Sequence, residues 1–185
     1  MANPTISDRE IVFHGDVDET LVKDTVKEIL KFNVEDTKNE NDFKEFVRPP
    51  IIIHLSTYGG EFYTGMSLFD VIRNSKTPVQ IMCSGKIMSM GILLLLSAKK
   101  ENRFAMKHTR FMIHEVASGV SGKLEHISQK VEQMKAIQET ADGIILDNTT
   151  IPKNKLEDIM SKKQDWYFDS REALSYGLVS EIIGG

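Results

Sequence analysis

The chain has 185 residues, 41% of them apolar, enough for one substantial core and hence one domain over 1–185. A formal charge of −4, from 23 basic residues scattered among 27 acidic ones, gives no broad positive field and argues against a nucleic-acid partner. The lone Cys83 excludes an internal disulfide and zinc sites built from several thiolates. No secretory pattern opens the chain, and the longest apolar run, Gly91 to Leu96, cannot span a bilayer, so a soluble cytoplasmic protein without a membrane partner is expected.

After a polar segment over 1–8, Glu10-Ile11-Val12-Phe13-His14 reads as a strand. Asp16 to Asp18 offers capping chemistry for a helix carrying Leu21, Val22, Val26, Ile29 and Leu30 at helical spacing. The polar stretch from Asn33 to Pro49 reads as an exposed loop. Ile51 to Leu55 is an apolar β-branched run that suits a strand covered on both faces, and Gly59-Gly60 breaks it. A helix with Met66, Phe69, Val71 and Ile72 follows, then a strand from Val79 to Cys83 that Gly85 closes as a turn. Ser89 to Ser97 is apolar on every side and reads as a buried helix. Phe104 to Met106 and Phe111 to Ile113 are strand candidates. Leu124 to Leu146 is one long helix, and Leu156 to Met160 a short one. Trp166 to Phe168, a helical Ser170 to Ser175 and a strand from Leu178 to Ile183 close the chain. This alternation predicts an α/β domain with helices packed on largely parallel strands.

A serine nucleophile needs a base to take its proton and backbone donors to hold the oxyanion formed on attack. In Gly85-Lys86-Ile87-Met88-Ser89-Met90-Gly91 a helix starts at the serine, which leaves the Met90 N–H free at the helix N-terminus. Gly59-Gly60, at the end of a neighbouring strand, would supply a second donor on the same sheet edge. Taken alone the serine reads as a helix cap, and His114, at the end of an apolar strand, as a packed structural residue.

Thr57-Tyr58-Gly59-Gly60, Ser89-Met90-Gly91, Phe111-Met112-Ile113-His114 and Tyr176-Gly177-Leu178-Val179 stand in the order seen in ClpP, the proteolytic subunit family of the Clp machine, and the resemblance runs from about Arg9 to Ile183. It implies a ClpP/crotonase-like fold of repeated strand-strand-helix units with a protruding strand-helix handle at about 115–148. It also implies a serine endopeptidase with Ser89 as nucleophile, His114 as general base and Asp165 as the orienting acid. Gly60 and Met90 would form the oxyanion hole, and Val116, Ala117, Ser118 and Gly119 the segment that pairs with substrate. No cofactor or metal is implied. The implied partners are further copies of the chain in heptameric rings or a tetradecamer, an AAA+ unfoldase that binds the ATP, and an unfolded protein or peptide as substrate.

The chain departs from the family pattern in places. Tyr58 replaces a proline, Lys86 a glutamine, Glu115-Val116 a Gln-Pro pair, and Gln164 an arginine that links the rings. Few residues precede the first strand, so the axial hairpin that meets an unfoldase is expected to be reduced. Asp169 is the nearest rival to Asp165, and Lys86 a rival base in a Ser-Lys dyad. Two other functions share the fold: an acyl-CoA enzyme of the crotonase type, and a catalytically silent ring subunit.

Overall fold

The structure, a computed structural model, describes residues 9–117, 119 and 121–184. The segment 1–8 and Ser118, one of the expected substrate-binding positions, lie outside the described residues.

Its centre is a seven-stranded sheet whose main path runs β1-β2-β3-β4-β7, formed by Glu10–His14, Ile51–Thr57, Val79–Met88, Arg103–Met106 and Glu181–Ile183. Every pairing along that path is parallel. β5 (Arg110–Ile113) pairs parallel with the far end of β3, and β6 (Trp166–Asp169) pairs antiparallel with β5. The expected α/β class is borne out, with β6 the one strand among the described residues that reverses direction.

β2 is not covered on both faces. Ile51, Ile53, Leu55 and Thr57 point into the core, whereas Ile52, His54 and Ser56 lie on a half-covered face where His54 Nε2 sits 3.0 Å from Glu10 Oε2. Helices α1 (Glu19–Asp42), α2 (Phe62–Arg73) and α3 (Met90–Ser97) fill the other side. All eight residues of α3 are buried, so it forms the centre of the core rather than a surface layer.

Two further expectations require correction. The stretch from Asn33 is not a loop: α1 continues to Asp42 because its polar residues face inward onto polar partners. Asp36, fully buried, binds Arg9 at 3.1 and 2.7 Å and accepts from the Thr77 hydroxyl at 2.6 Å, while Asn33 Oδ1 accepts from the amides of Lys76 and Thr77. Gly85 does not end β3 either. At φ +62° it forms a bulge, visible as the register step from Leu55↔Cys83 to Thr57↔Ile87. That bulge lets β3 leave β4 after Cys83 and take β5 as its neighbour from Lys86 onward.

Candidate active site

The bulged end of β3 delivers Ser89 to the start of α3. Ser89 has φ +53° and ψ −122°, one of only two non-glycine residues with positive φ among those described. A serine there costs on the order of 1–3 kcal/mol and persists only where its surroundings over-determine it. They do so here: the Ser89 amide donates to Met112 O of β5 at 3.0 Å, and its carbonyl accepts from Ile92 at 2.9 Å. The side chain is thereby held on the wall of a cavity beside His114.

Glycines let three segments converge on this turn. A Cβ built on Gly59 would stand 2.7 Å from Ser89 Cβ, and one on Gly91 would stand 2.5 Å from Thr57 Cγ2. Gly60, at φ +150°, is clamped in a bridge to Val17, with Val17 N donating to Gly59 O at 2.7 Å and Glu61 N to Val17 O at 2.9 Å. Among the hydrogen bonds of the described residues, neither the Gly60 nor the Met90 amide has an acceptor.

His114 follows the last residue of β5, and its Nε2 lies 2.8 Å from Ser89 Oγ across an interval of 25 residues. With the ring proton on Nδ1, Nε2 can accept the hydroxyl proton. Asp165 immediately precedes β6. The antiparallel register ends at Ile113↔Trp166, so one further step sets Asp165 opposite His114. Its carboxylate accepts from Tyr167 Oη at 3.4 Å and, among the described residues, makes no hydrogen bond to His114. The structure therefore joins Ser89 to His114 and leaves the Asp165 carboxylate with Tyr167 as its partner.

The rivals are placed elsewhere. Asp169 caps α6 (Ser170–Ser175) by accepting from the amides of Arg171 and Glu172 at 3.0 Å each, and those bonds, the Glu172 one foremost, hold its carboxyl below the usual range. Lys86 Nζ lies 4.0 Å from the ring centroid of Tyr58, a cation–π contact between two of the residues that depart from the family pattern.

A cavity of about 360 Å³ opens beside Ser89 and His114, with Gly60, Met90, Val116 and Ala117 also on its wall. Much of its wall is apolar, contributed by Ile92, Leu93, Met134, Ile137, Ile145 and Met160. The inner wall belongs to α4 (Leu124–Asn148), and Gln133 Nε2 on that helix donates to Tyr63 Oη of α2 at 2.9 Å across the cavity's edge. Sequence reasoning missed two polar residues of α4. Gln138 Oε1 accepts from the Val116 amide at 2.7 Å, and Gln138 Nε2 donates to Asp142 Oδ1 at 2.8 Å. Their i, i+4 spacing places both on one face, but nothing in the sequence says that this face lines a cavity. The Val116 amide exists because valine stands where the family pattern has proline, and Gln138 satisfies it.

Comparison with known proteins agrees with this architecture. A Clp protease family model matches residues 2–185, and the chain belongs to that family. It is 30% identical over 175 residues to ATP-dependent Clp protease proteolytic subunit 2 of Treponema pallidum, covering 95% of this chain and 82% of that protein. It is 28% identical over 178 residues to the ATP-dependent Clp protease proteolytic subunit of Deinococcus radiodurans, covering 96% and 81% respectively. Among solved structures it superposes on a ClpP1 point mutant from Listeria monocytogenes with a TM-score of 0.81 and 26% identity, over 97% of this chain and 94% of that one. No described helix is long and apolar enough to cross a membrane.

Proposed function

We propose that this chain is a serine endopeptidase, the proteolytic subunit of a Clp-type ATP-dependent protease. The observation that carries the reading is the 2.8 Å contact between Ser89 Oγ and His114 Nε2, made by a serine in a strained turn at the mouth of a cavity. In the proposed reaction His114 takes the Ser89 proton as Oγ attacks the peptide carbonyl, then returns it to the leaving amine. The unpaired Gly60 and Met90 amides receive the oxyanion. Asp165 fixes the imidazole tautomer once its carboxylate turns from Tyr167 toward Nδ1. Main-chain groups of Val116, Ala117, Ser118 and Gly119 pair with the substrate, which tolerates many sequences.

The proposal extends to assembly. In α4 only Ala141 and Ile145 are buried, while Leu124 is 85% and Val131 42% exposed, so the outer half of this helix is suited to contact with other copies in a heptameric ring or tetradecamer. An AAA+ unfoldase would bind ATP and feed unfolded chains to the chamber. The test is a fluorophosphonate probe on the assembled particle: labelling at Ser89, lost in Ser89→Ala and in His114→Ala, together with cleavage of an unstructured peptide. No labelling beside tight binding of coenzyme A would replace this reading with the acyl-CoA one.

One observation favours a second reading. Because Asp165 is bonded to Tyr167 rather than His114, the chain fits a subunit silent by itself, whose acid comes into line only on assembly. Probe labelling that rises with the ring population in native mass measurements, and is absent in the separated subunit, would distinguish it.

A further inference from the structure

The cavity beside Ser89 contains a carboxylate with no cation to balance it. Asp142 lines the inner wall at a half-buried position among Met134, Ile137, Ile145 and Met160. Its one hydrogen bond among the described residues is to the neutral amide of Gln138, at 2.8 Å on Oδ1, which leaves Oδ2 without a protein partner. No lysine or arginine pairs with it among the described residues; the charged group that most affects it is Glu157, which is also negative. The other lysine, arginine or carboxylate side chains on the cavity wall are Glu61 and Lys130. Lys130 lies twelve residues earlier on α4, about 18 Å along the helix axis, so it cannot neutralise Asp142. Burial raises the Asp142 carboxyl above its ordinary value, the Gln138 bond opposes that and Glu157 adds to it, the signature of a charge lacking a counter-ion.

A wholly apolar pocket would accept leucine or methionine and reject a charged tip. This one has apolar walls fit for a methylene stem and, among Met134, Ile137, Ile145 and Met160, the acceptor oxygen of Asp142. We propose that Asp142 is a specificity-determining residue that makes this cavity select lysine or arginine as the residue on the acyl side of the cleaved bond. The aliphatic stem lies along Met134 and Ile137, and the cationic head meets the free oxygen of Asp142 in a charge-assisted hydrogen bond. Gln138 holds the carboxylate in place, and through its bond to the Val116 amide it ties that acceptor to the segment beside His114.

The inference rests on the peptidase reading. The experiment uses the assembled full-length particle and matched fluorogenic peptides that differ only at that one residue, carrying leucine, methionine, glutamine, lysine or arginine. The expected result is a kcat/KM for lysine or arginine about 10- to 100-fold above that for leucine. Asp142→Asn should lower the lysine-to-leucine ratio by a similar factor. Asp142→Leu, which completes the apolar wall, should invert the preference. Ser89-dependent cleavage that favours leucine in the wild type, or a ratio unmoved by Asp142→Asn, would overturn the inference and leave the peptidase reading intact. Absence of any Ser89-dependent labelling or cleavage would remove the reading beneath it and the inference together.

Discussion

The packing around Ser89 makes Gly59 the position where a single methyl group should do most damage. Gly59 sits at φ +103°, and a Cβ there would lie 2.7 Å from Ser89 Cβ, 2.9 Å from Met88 O and 3.1 Å from Met90 N. The backbone alone costs alanine about 1–3 kcal/mol. Since carbon atoms settle near 3.5–4.0 Å, the turn that carries Ser89, the proposed nucleophile, must also retreat by roughly 1 Å. A displacement of that size in a positioned reacting group costs about 100-fold, and misdirecting an oxyanion donor about 100- to 1000-fold. Gly59→Ala should therefore lower the rate of fluorophosphonate labelling at Ser89 by about 100-fold or more. A rise in the urea midpoint or an unchanged one is not expected, because the same strain lowers stability. The control is Gly143→Ala, a helical glycine whose built Cβ meets nothing within 4 Å, which should gain about 0.5–1 kcal/mol. A folded Gly59→Ala protein labelled within about threefold of the wild-type rate, less than 1 kcal/mol of barrier, would refute the reasoning.

Other outcomes follow from single contacts. Asp36→Ala strands the buried Arg9 guanidinium and should cost about 3–5 kcal/mol in denaturant unfolding; a loss under 1 kcal/mol would show that water or a new partner reaches Arg9. Asp165→Asn should reduce turnover by about 10⁴-fold if the carboxylate orients His114, and Tyr167→Phe, which frees that carboxylate, should not reproduce the loss. Lys86→Ala removes a cation–π contact worth about 0.5–1 kcal/mol and should keep peptidase activity; its abolition would restore the Ser-Lys dyad. Cys83 is fully buried and its thiol is pushed well above the ordinary range by that burial, so it should resist alkylation by iodoacetamide until the protein unfolds.

The parts of this molecule that could be read without coordinates are those encoded by local pattern. The buried run of α3, the β-branched β2 and the glycine breaks around Ser89 each announce themselves within a few residues, and the family motifs single out Ser89 and His114. The end of α1 did not, because polarity in sequence reads as exposure, whereas Asn33 and Asp36 spend theirs on Thr77, Lys76 and Arg9 far along the chain. Gly85 misled for a related reason. A glycine with positive φ can end a strand or bulge it, and the choice depends on whether a second neighbour, here β5, waits beyond the bulge. The opposition of Asp165 to His114 is likewise a consequence of β6 running antiparallel to β5, a pairing between segments more than 50 residues apart.

The same distinction bears on α4, whose two ends face different demands. Its inner half supplies Ala141 and Ile145 to the core, Asp142 to the cavity and Gln138 to the Val116 amide, so the wall of the site and the segment after His114 both hang on this helix. Its outer half presents Leu124 and Val131 to solvent. A helix of 25 residues is a rod about 37 Å long, and few contacts brace its far end in a single subunit. A second copy packed on the outer apolar residues, as proposed, would therefore also set the angle at which the inner half meets the cavity. On the proposed reading, assembly and the fit of the substrate side chain would be opposite ends of one lever, and substitutions at Leu124 should register in the kinetics of a site to which Leu124 contributes no atom.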